Sequence, residues 1–368
     1  MTSEAAARPV ISKGVGYGEA HGRISGLDGL RGLSIALVVV AHAGFGHLVP
    51  GGFGVTIFFF ISGFIISSLL LKELNSSGQI SFRDFYIRRT FRILPVLIAY
   101  LAFSTAYVFF VADKVDYPQL MAALLFYYNY YFLWIDPHVG EFGKFHPYSI
   151  VWSLAVEEHF YLAFPLILYG FKANLRILLV SLVAACVCVL LWRCYLVFQV
   201  GLEHMVHDRI YKSTDTRFDA IMFGVIFAIA SYLYGSKIVE RTSSSTALIV
   251  GLLLLLISLA IRNDNFRESF RYTIQGLGLF VLFGGMLTPA ALASKVLGSA
   301  FFLYLGKISY SLYLWHWAVY VIMQRTWDPN HSVLAAGVMI LVSIVIAHFS
   351  QKYIERNSLK WRARFIPH

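Results

Sequence analysis

Arg31 and His42 are the first residues of this sequence whose type and setting call for a chemical role. Both lie in DGLRGLSIALVVVAHAGF, eleven positions apart in an otherwise apolar stretch. On a helix that spacing is about 1100° of rotation and about 16 Å of rise, so the two side chains share a face to within roughly 20° at different depths. An ionisable group inside a membrane-crossing helix costs at least ~2.5 kcal/mol, and such groups face a partner or a water-filled path. An imidazole held there is suited to taking a proton. Glu157, in VWSLAVEEHFYLAFP, is the candidate carboxylate to orient His42 and stabilise its imidazolium. The segment SFRDFYIRRTFRILP carries Arg88, Arg89 and Arg92. Guanidinium groups suit bidentate phosphate binding, although anionic lipid headgroups attract such a cluster too. In GKISYSLYLWHWAVYV, Tyr310, Tyr313 and His316 recur at helical spacing. Ring packing accounts for the tyrosines, while His316 still needs a partner. Arg217 and Asp219, in DTRFDAIMFG, either bind a polar ligand or pair with each other.

Each of these has a plainer explanation when taken alone. A lone histidine in a span more often packs or caps than catalyses, and Arg31 can snorkel to the headgroups. Residue counting places His42 and Glu157 at one depth on different spans, and that coincidence favours a site.

The elements that carry these residues are apolar blocks. Of 368 residues, 58% are hydrophobic and 14% charged, where a soluble domain carries roughly 25% charged residues. The apolar residues fall in ten blocks, 27–46, 54–71, 94–112, 151–170, 177–198, 217–234, 246–261, 272–289, 308–325 and 333–350. Each has about the length needed to cross ~30 Å of hydrocarbon. The predicted fold is therefore an all-α integral membrane protein of about ten transmembrane helices. The segment 117–135 is rich in Tyr and Trp, so it is expected to be an interfacial or re-entrant piece of an outer loop, 113–150. With that segment not crossing, 20 of the 30 Lys and Arg fall on the side of both termini and 9 on the other, which predicts cytoplasmic termini. The same topology accounts for the net charge of +10 without nucleic acid as a partner.

Between the second and third spans, SFRDFYIRRTFRILP is predicted to lie as an amphipathic helix on the cytoplasmic surface, with Pro95 in the first turn of the next span. Residues 1–25 read as a mobile polar tail and 26–368 as one membrane-embedded domain. Cys186, Cys188 and Cys194 share one apolar block, a placement that gives neither a disulfide framework nor metal-ligand spacing.

In this order the motifs resemble the membrane-bound acyltransferase 3 family over nearly the whole chain from about position 26. The features are DGLRG followed by His42, then GVTIFFFISGF, RRTFRILP with Arg89 and Arg92, and WSLAVEEHFY with Trp152, Ser153 and Glu157. RFDAIMFG with Arg217 and Asp219 follows, then YSLYLWH with Tyr310 and His316. The string IERN departs from the family at Asn357, where relatives often carry Pro.

The resemblance implies an O-acyltransferase of a bacterial inner membrane. It would take an acyl group, commonly acetyl, from cytoplasmic acyl-CoA to a carbohydrate or glycoconjugate hydroxyl at the outer face, with no tightly bound cofactor and no metal. In that scheme His42 is catalytic and Glu157 orients it. Arg31, Arg89, Arg92, Tyr310 and His316 serve the CoA side, and Trp152, Ser153, Arg217 and Asp219 serve the acceptor. The competing class is a transporter or flippase for an anionic or acyl-bearing solute, against which stands the lack of an obvious inverted repeat.

Overall fold

The computed structural model describes residues 25–134, 146–202, 204–288, 292–328 and 332–366. The expected polar tail, apart from Ser25, and residues 135–145 of the expected outer loop lie outside the described residues. Every regular element among the described residues is helical. In chain order these are α1 (Ser25–Val40), α2 (Gly51–Ser77), α3 (Phe82–Ala112), α4 (Tyr117–Leu124), α5 (Tyr128–Trp134), α6 (Trp152–Gly170), α7 (Leu175–Tyr195), α8 (His204–Lys212) and α9 (Thr214–Tyr234). There follow α10 (Ser236–Thr242), α11 (Ser245–Ala260), α12 (Asp264–Ser269), α13 (Arg271–Leu287), α14 (Leu292–Leu297), α15 (Ala300–Thr326), α16 (Val333–Ser350) and α17 (Arg356–Arg362).

All ten apolar blocks are helical. Seven helices are long and apolar enough to cross a membrane, and an eighth crossing results if α10 and α11, bent by 65°, count as one. The other two blocks lie in α13, which at 17 residues is short, and in α15, which at 27 residues is long enough but more polar. Large apolar side chains stand exposed on α7, α11 and α16, among them Val180, Leu191, Leu253, Leu256, Leu341 and Val345. In a bilayer such faces meet lipid tails, so their exposure carries no penalty.

The segment 117–134 forms two short helices, α4 and α5, neither long enough to cross. They dock by side-chain hydrogen bonds, Asn129 to Thr214 at 2.9 Å and Tyr130 to Asp215 at 3.1 Å.

The expected surface helix is corrected. Residues 82–112 form one continuous helix, with Pro95 well inside it. Its first turns are held down because Phe85 is buried and the Tyr86 hydroxyl donates to Leu162 O at 2.9 Å. A proline within a helix orphans the carbonyl four residues earlier, here that of Phe91. Ser358 of α17 donates to that oxygen at 2.5 Å, so the C-terminal helix supplies the bond that Pro95 removes.

The core is organised by two close helix pairs, α1 on α15 and α2 on α9. Glycine makes the first approach possible. A Cβ at Gly306 would lie 1.9 Å from Asp28 O, and one at Gly32 2.0 Å from Phe302 O. At that separation Arg31 reaches Ser309 across the seam, Nη2 to Oγ at 3.0 Å.

Candidate active site

His42 does not sit on regular α-helix. After Val40 the chain widens into a π-turn, Ala41–Phe45, and Gly44 takes φ 99°, a conformation that favours glycine. A turn of this kind, closed by a left-handed glycine, is a common helix ending. This one brings the His42 imidazole against α15. His42 Nδ1 lies 3.0 Å from His316 Nε2, the two ring planes are within 19° of each other, and Trp317 meets His42 edge-on with centroids 5.0 Å apart.

Hydrogen-bond chemistry fixes the tautomers. His316 Nδ1 lies 2.9 Å from Leu312 O, and a carbonyl only accepts, so Nδ1 carries the proton. In the neutral ring His316 Nε2 must then accept, and His42 Nδ1 donates to it. His42 Nε2 is left with its lone pair free, which is the state of a general base.

Three cavities follow one another through shared lining residues. The first surrounds Arg31, Arg89 and Arg92 and is also lined by Ser62, Ser153, Glu157, Tyr161, Ser309, Tyr310 and Tyr313. The second holds His42 with Trp152, Tyr211, Lys212, Tyr313 and Trp317. The first is a narrow cleft of about 90 Å³ and the second a cavity of about 340 Å³, the latter within the range of small-molecule sites. Val55 and Tyr313 line both, so the chambers meet at one wall. Tyr313 is held there by Ser153, hydroxyl to hydroxyl at 2.5 Å. The third cavity continues the His42 chamber past Gly46–Phe53.

The first chamber is rich in positive charge. It is lined by three guanidinium groups and a single carboxylate, Glu157. Among the described residues none of the three arginines has a carboxylate within ion-pair distance, whereas other arginines of the chain do. Arg31 has its bond to Ser309. Arg89 stacks 5.6 Å from the Tyr161 ring, and its buried Nε has no partner among the described residues. Tyr310, which donates to Ile93 O at 2.7 Å, braces α3 beside them.

Several expectations are corrected by this geometry. Glu157 does not bond His42. It accepts from Ser62 at 2.7 Å and from Tyr161 at 3.3 Å, in the arginine chamber. His316, expected on the CoA side with Tyr310, is fully buried behind His42. Of the acceptor candidates, Trp152 lines the His42 chamber and Ser153 the arginine chamber. Arg217 and Asp219 are fully buried, line none of the three cavities and do not pair with each other. Asp219 instead accepts from Arg193 at 2.7 Å. Arg217 bonds Thr56 and Tyr211 O and lies 4.0 Å from the Tyr272 ring centroid.

Sequence reasoning missed Tyr161, Ser309 and Trp317. The spacing of Tyr161, one helical turn after Glu157, was an available signal. Ser309 and Trp317 gave none apart from sitting beside Tyr310 and His316.

Residues 24–348 match the profile of the acyltransferase domain known as acyltransferase 3. Among curated proteins, the chain is 30% identical over 368 residues to one named "Putative O-acetyltransferase" in Staphylococcus aureus strain COL, covering 94% of this chain and 60% of that protein. It is 28% identical to the "Putative peptidoglycan O-acetyltransferase YrhL" of Bacillus subtilis strain 168, covering 91% of this chain and 55% of that protein. It is 29% identical to "O-acetyltransferase OatA" of Staphylococcus aureus strain NCTC 8325, covering 90% and 56% respectively. The chain thus spans somewhat more than half the length of these relatives. With residues 24–348 matched by the family profile, the chain belongs to the membrane acyltransferase 3 family.

Proposed function

We propose that this chain transfers an acetyl group from acetyl-CoA to a carbohydrate hydroxyl, the two substrates entering the His42 site from opposite ends. The carrying observation is the relay Leu312 O–His316–His42. It leaves His42 Nε2 as a free base in a chamber that shares the Tyr313 wall with a pocket of three unpaired arginines. In this reading Arg31, Arg89 and Arg92 hold the phosphates of CoA at the cytoplasmic end, because guanidinium groups with unused donors are suited to bidentate phosphate contacts. Glu157, with Ser62 and Tyr161, keeps the empty pocket from carrying three uncompensated charges.

The thioester carbonyl is presented at the Tyr313 wall. The acceptor oxygen attacks that carbon while its proton passes to His42 Nε2. Collapse of the tetrahedral adduct breaks the carbon–sulfur bond, and the imidazolium returns the proton to the departing thiolate. His316 accepts from His42 Nδ1 throughout and so spreads the charge that His42 gains. The topology that goes with this reading is ten spans with both termini cytoplasmic, in a bacterial inner membrane. The names of the relatives support acetyl as the group moved and a cell-wall glycan as the class of acceptor.

The test is thiol release from acetyl-CoA, with mass-spectrometric detection of the acetylated acceptor, by purified protein and by His42→Ala. General-base removal is expected to cost about 10²–10⁴-fold in turnover. His316→Ala should lower turnover less and leave acetyl-CoA binding intact. Wild-type turnover in His42→Ala would sink the mechanism.

A further inference from the structure

The third cavity has no part in the chemistry above, yet it opens directly from the His42 chamber. Gly46, Val49, Gly51, Gly52 and Tyr211 line both. It lies beyond His42 from the arginine pocket, past the end of the π-turn. Arg262, Arg267 and Arg271 line it together with Tyr272 and Gln275, and no carboxylate does.

The three guanidinium groups are only loosely engaged. Arg271 meets Glu268 at 3.4 Å and the Tyr272 hydroxyl at 2.9 Å. Arg267 meets the exposed Asp264 at 3.4 Å. Arg262 has no ion pair or hydrogen bond among the described residues. Two carboxylates therefore face three arginines, and both stand outside the cavity. Behind Tyr272 lies a further positive group, the buried Arg217, 4.0 Å from that ring. A neutral sugar needs none of this charge. Convergent guanidinium donors around a concave, tyrosine-floored space are suited to an oxyacid group, which accepts two parallel hydrogen bonds from each fork.

We infer that the acceptor is anionic: a glycan or glycoconjugate whose phosphate or carboxylate docks on Arg262, Arg267 and Arg271 while its hydroxyl reaches His42. This rests on the acetyl-transfer reading for the second half of the sentence only; the anion site stands on its own geometry. The arginines then select and orient the acceptor, and they touch no reacting atom.

The test measures equilibrium binding to the full chain in neutral detergent carrying His42→Ala, so that no turnover is needed. The probes are methyl glucuronide, glucose 6-phosphate and the uncharged methyl glucoside. At least one anionic sugar should bind about tenfold more tightly than the glucoside, as one added charge-assisted contact supplies, and high salt should erase the difference. Arg262→Glu should also erase it. That side chain is exposed and unpaired, so the change spares the fold, and Arg262→Lys should restore part of the preference. Equal binding of all three sugars would overturn the inference. So would displacement of the anionic sugars by phosphatidylglycerol at low mole fraction in the micelle, which would make the cavity a lipid-headgroup site. Charge-selective sugar binding together with no thiol release from wild type would instead count against the acetyl-transfer reading alone.

Discussion

Arg193 on one side of this protein, and Arg31, Arg89 and Arg92 on another, behave in opposite ways. Arg193 uses every nitrogen it has. Nε donates to Ser269 O at 2.9 Å, Nη1 to Thr216 O at 2.6 Å, and Nη2 to Asp219 at 2.7 Å as well as to Thr273. Arg31, Arg89 and Arg92 are also enclosed by helices, but between them they show one side-chain hydrogen bond and no ion pair among the described residues. A guanidinium whose donors are consumed by the protein is structural. One whose donors are spare, in a cavity, is free to take a ligand, which is the role proposed for these three. Residue type is the same in both places, and the difference lies in what surrounds each charge.

That contrast can be broken most violently at Arg193. Arg193→Met leaves Asp219 buried and unpaired, and stability should fall by about 3–5 kcal/mol, read as a large drop in the thermal unfolding midpoint in detergent. Adding Asp219→Leu should recover most of the loss, since a buried pair replaced by apolar groups is often near neutral. A smaller and different effect is expected in the chamber. Arg92→Gln should leave the unfolding midpoint near wild type and raise KM for acetyl-CoA about tenfold, equivalent to one lost charge-assisted contact, with kcat changed less. A destabilised Arg92→Gln protein with unaltered KM would erase the distinction between the two groups. The smallest effect belongs to the scaffold under the chamber. Ser358→Ala removes the donor that satisfies the carbonyl orphaned by Pro95 and should cost about 1 kcal/mol of stability, seen as a modest shift of the same midpoint.

Much of the architecture was readable from residues in order. The positions of the apolar blocks follow from local composition, the aromatic density of 117–135 marks it as no ordinary span, and Arg31 and His42, set on one face by their spacing, both meet α15. What failed was lateral position. Counting residues from the membrane surface gives the depth of a side chain but not which neighbour it faces. Glu157 was therefore assigned to His42 on depth alone, while the actual partner, His316, sits on a helix 274 positions away. The amphipathic stretch at 81–95 failed for a related reason. A proline expected in the first turn of a new helix is accommodated inside a longer one once Ser358, 267 positions later, serves the freed oxygen. Arg217 and Asp219 looked like a local pair because they are two positions apart. The true partner of Asp219 is Arg193, on another helix 26 positions earlier.

The Tyr313 wall has a consequence for the cell as well as for the reaction. In the proposed topology it is the thinnest partition between two polar spaces that open toward opposite faces of an energised membrane. Were both spaces to connect, even briefly, hydrated ions and protons would follow, and the voltage that drives transport and ATP synthesis would run down. The bond of Tyr313 to Ser153, 2.5 Å long, therefore does more than shape a substrate path. On the proposed reading it also keeps an enzyme fed from both sides from becoming a channel.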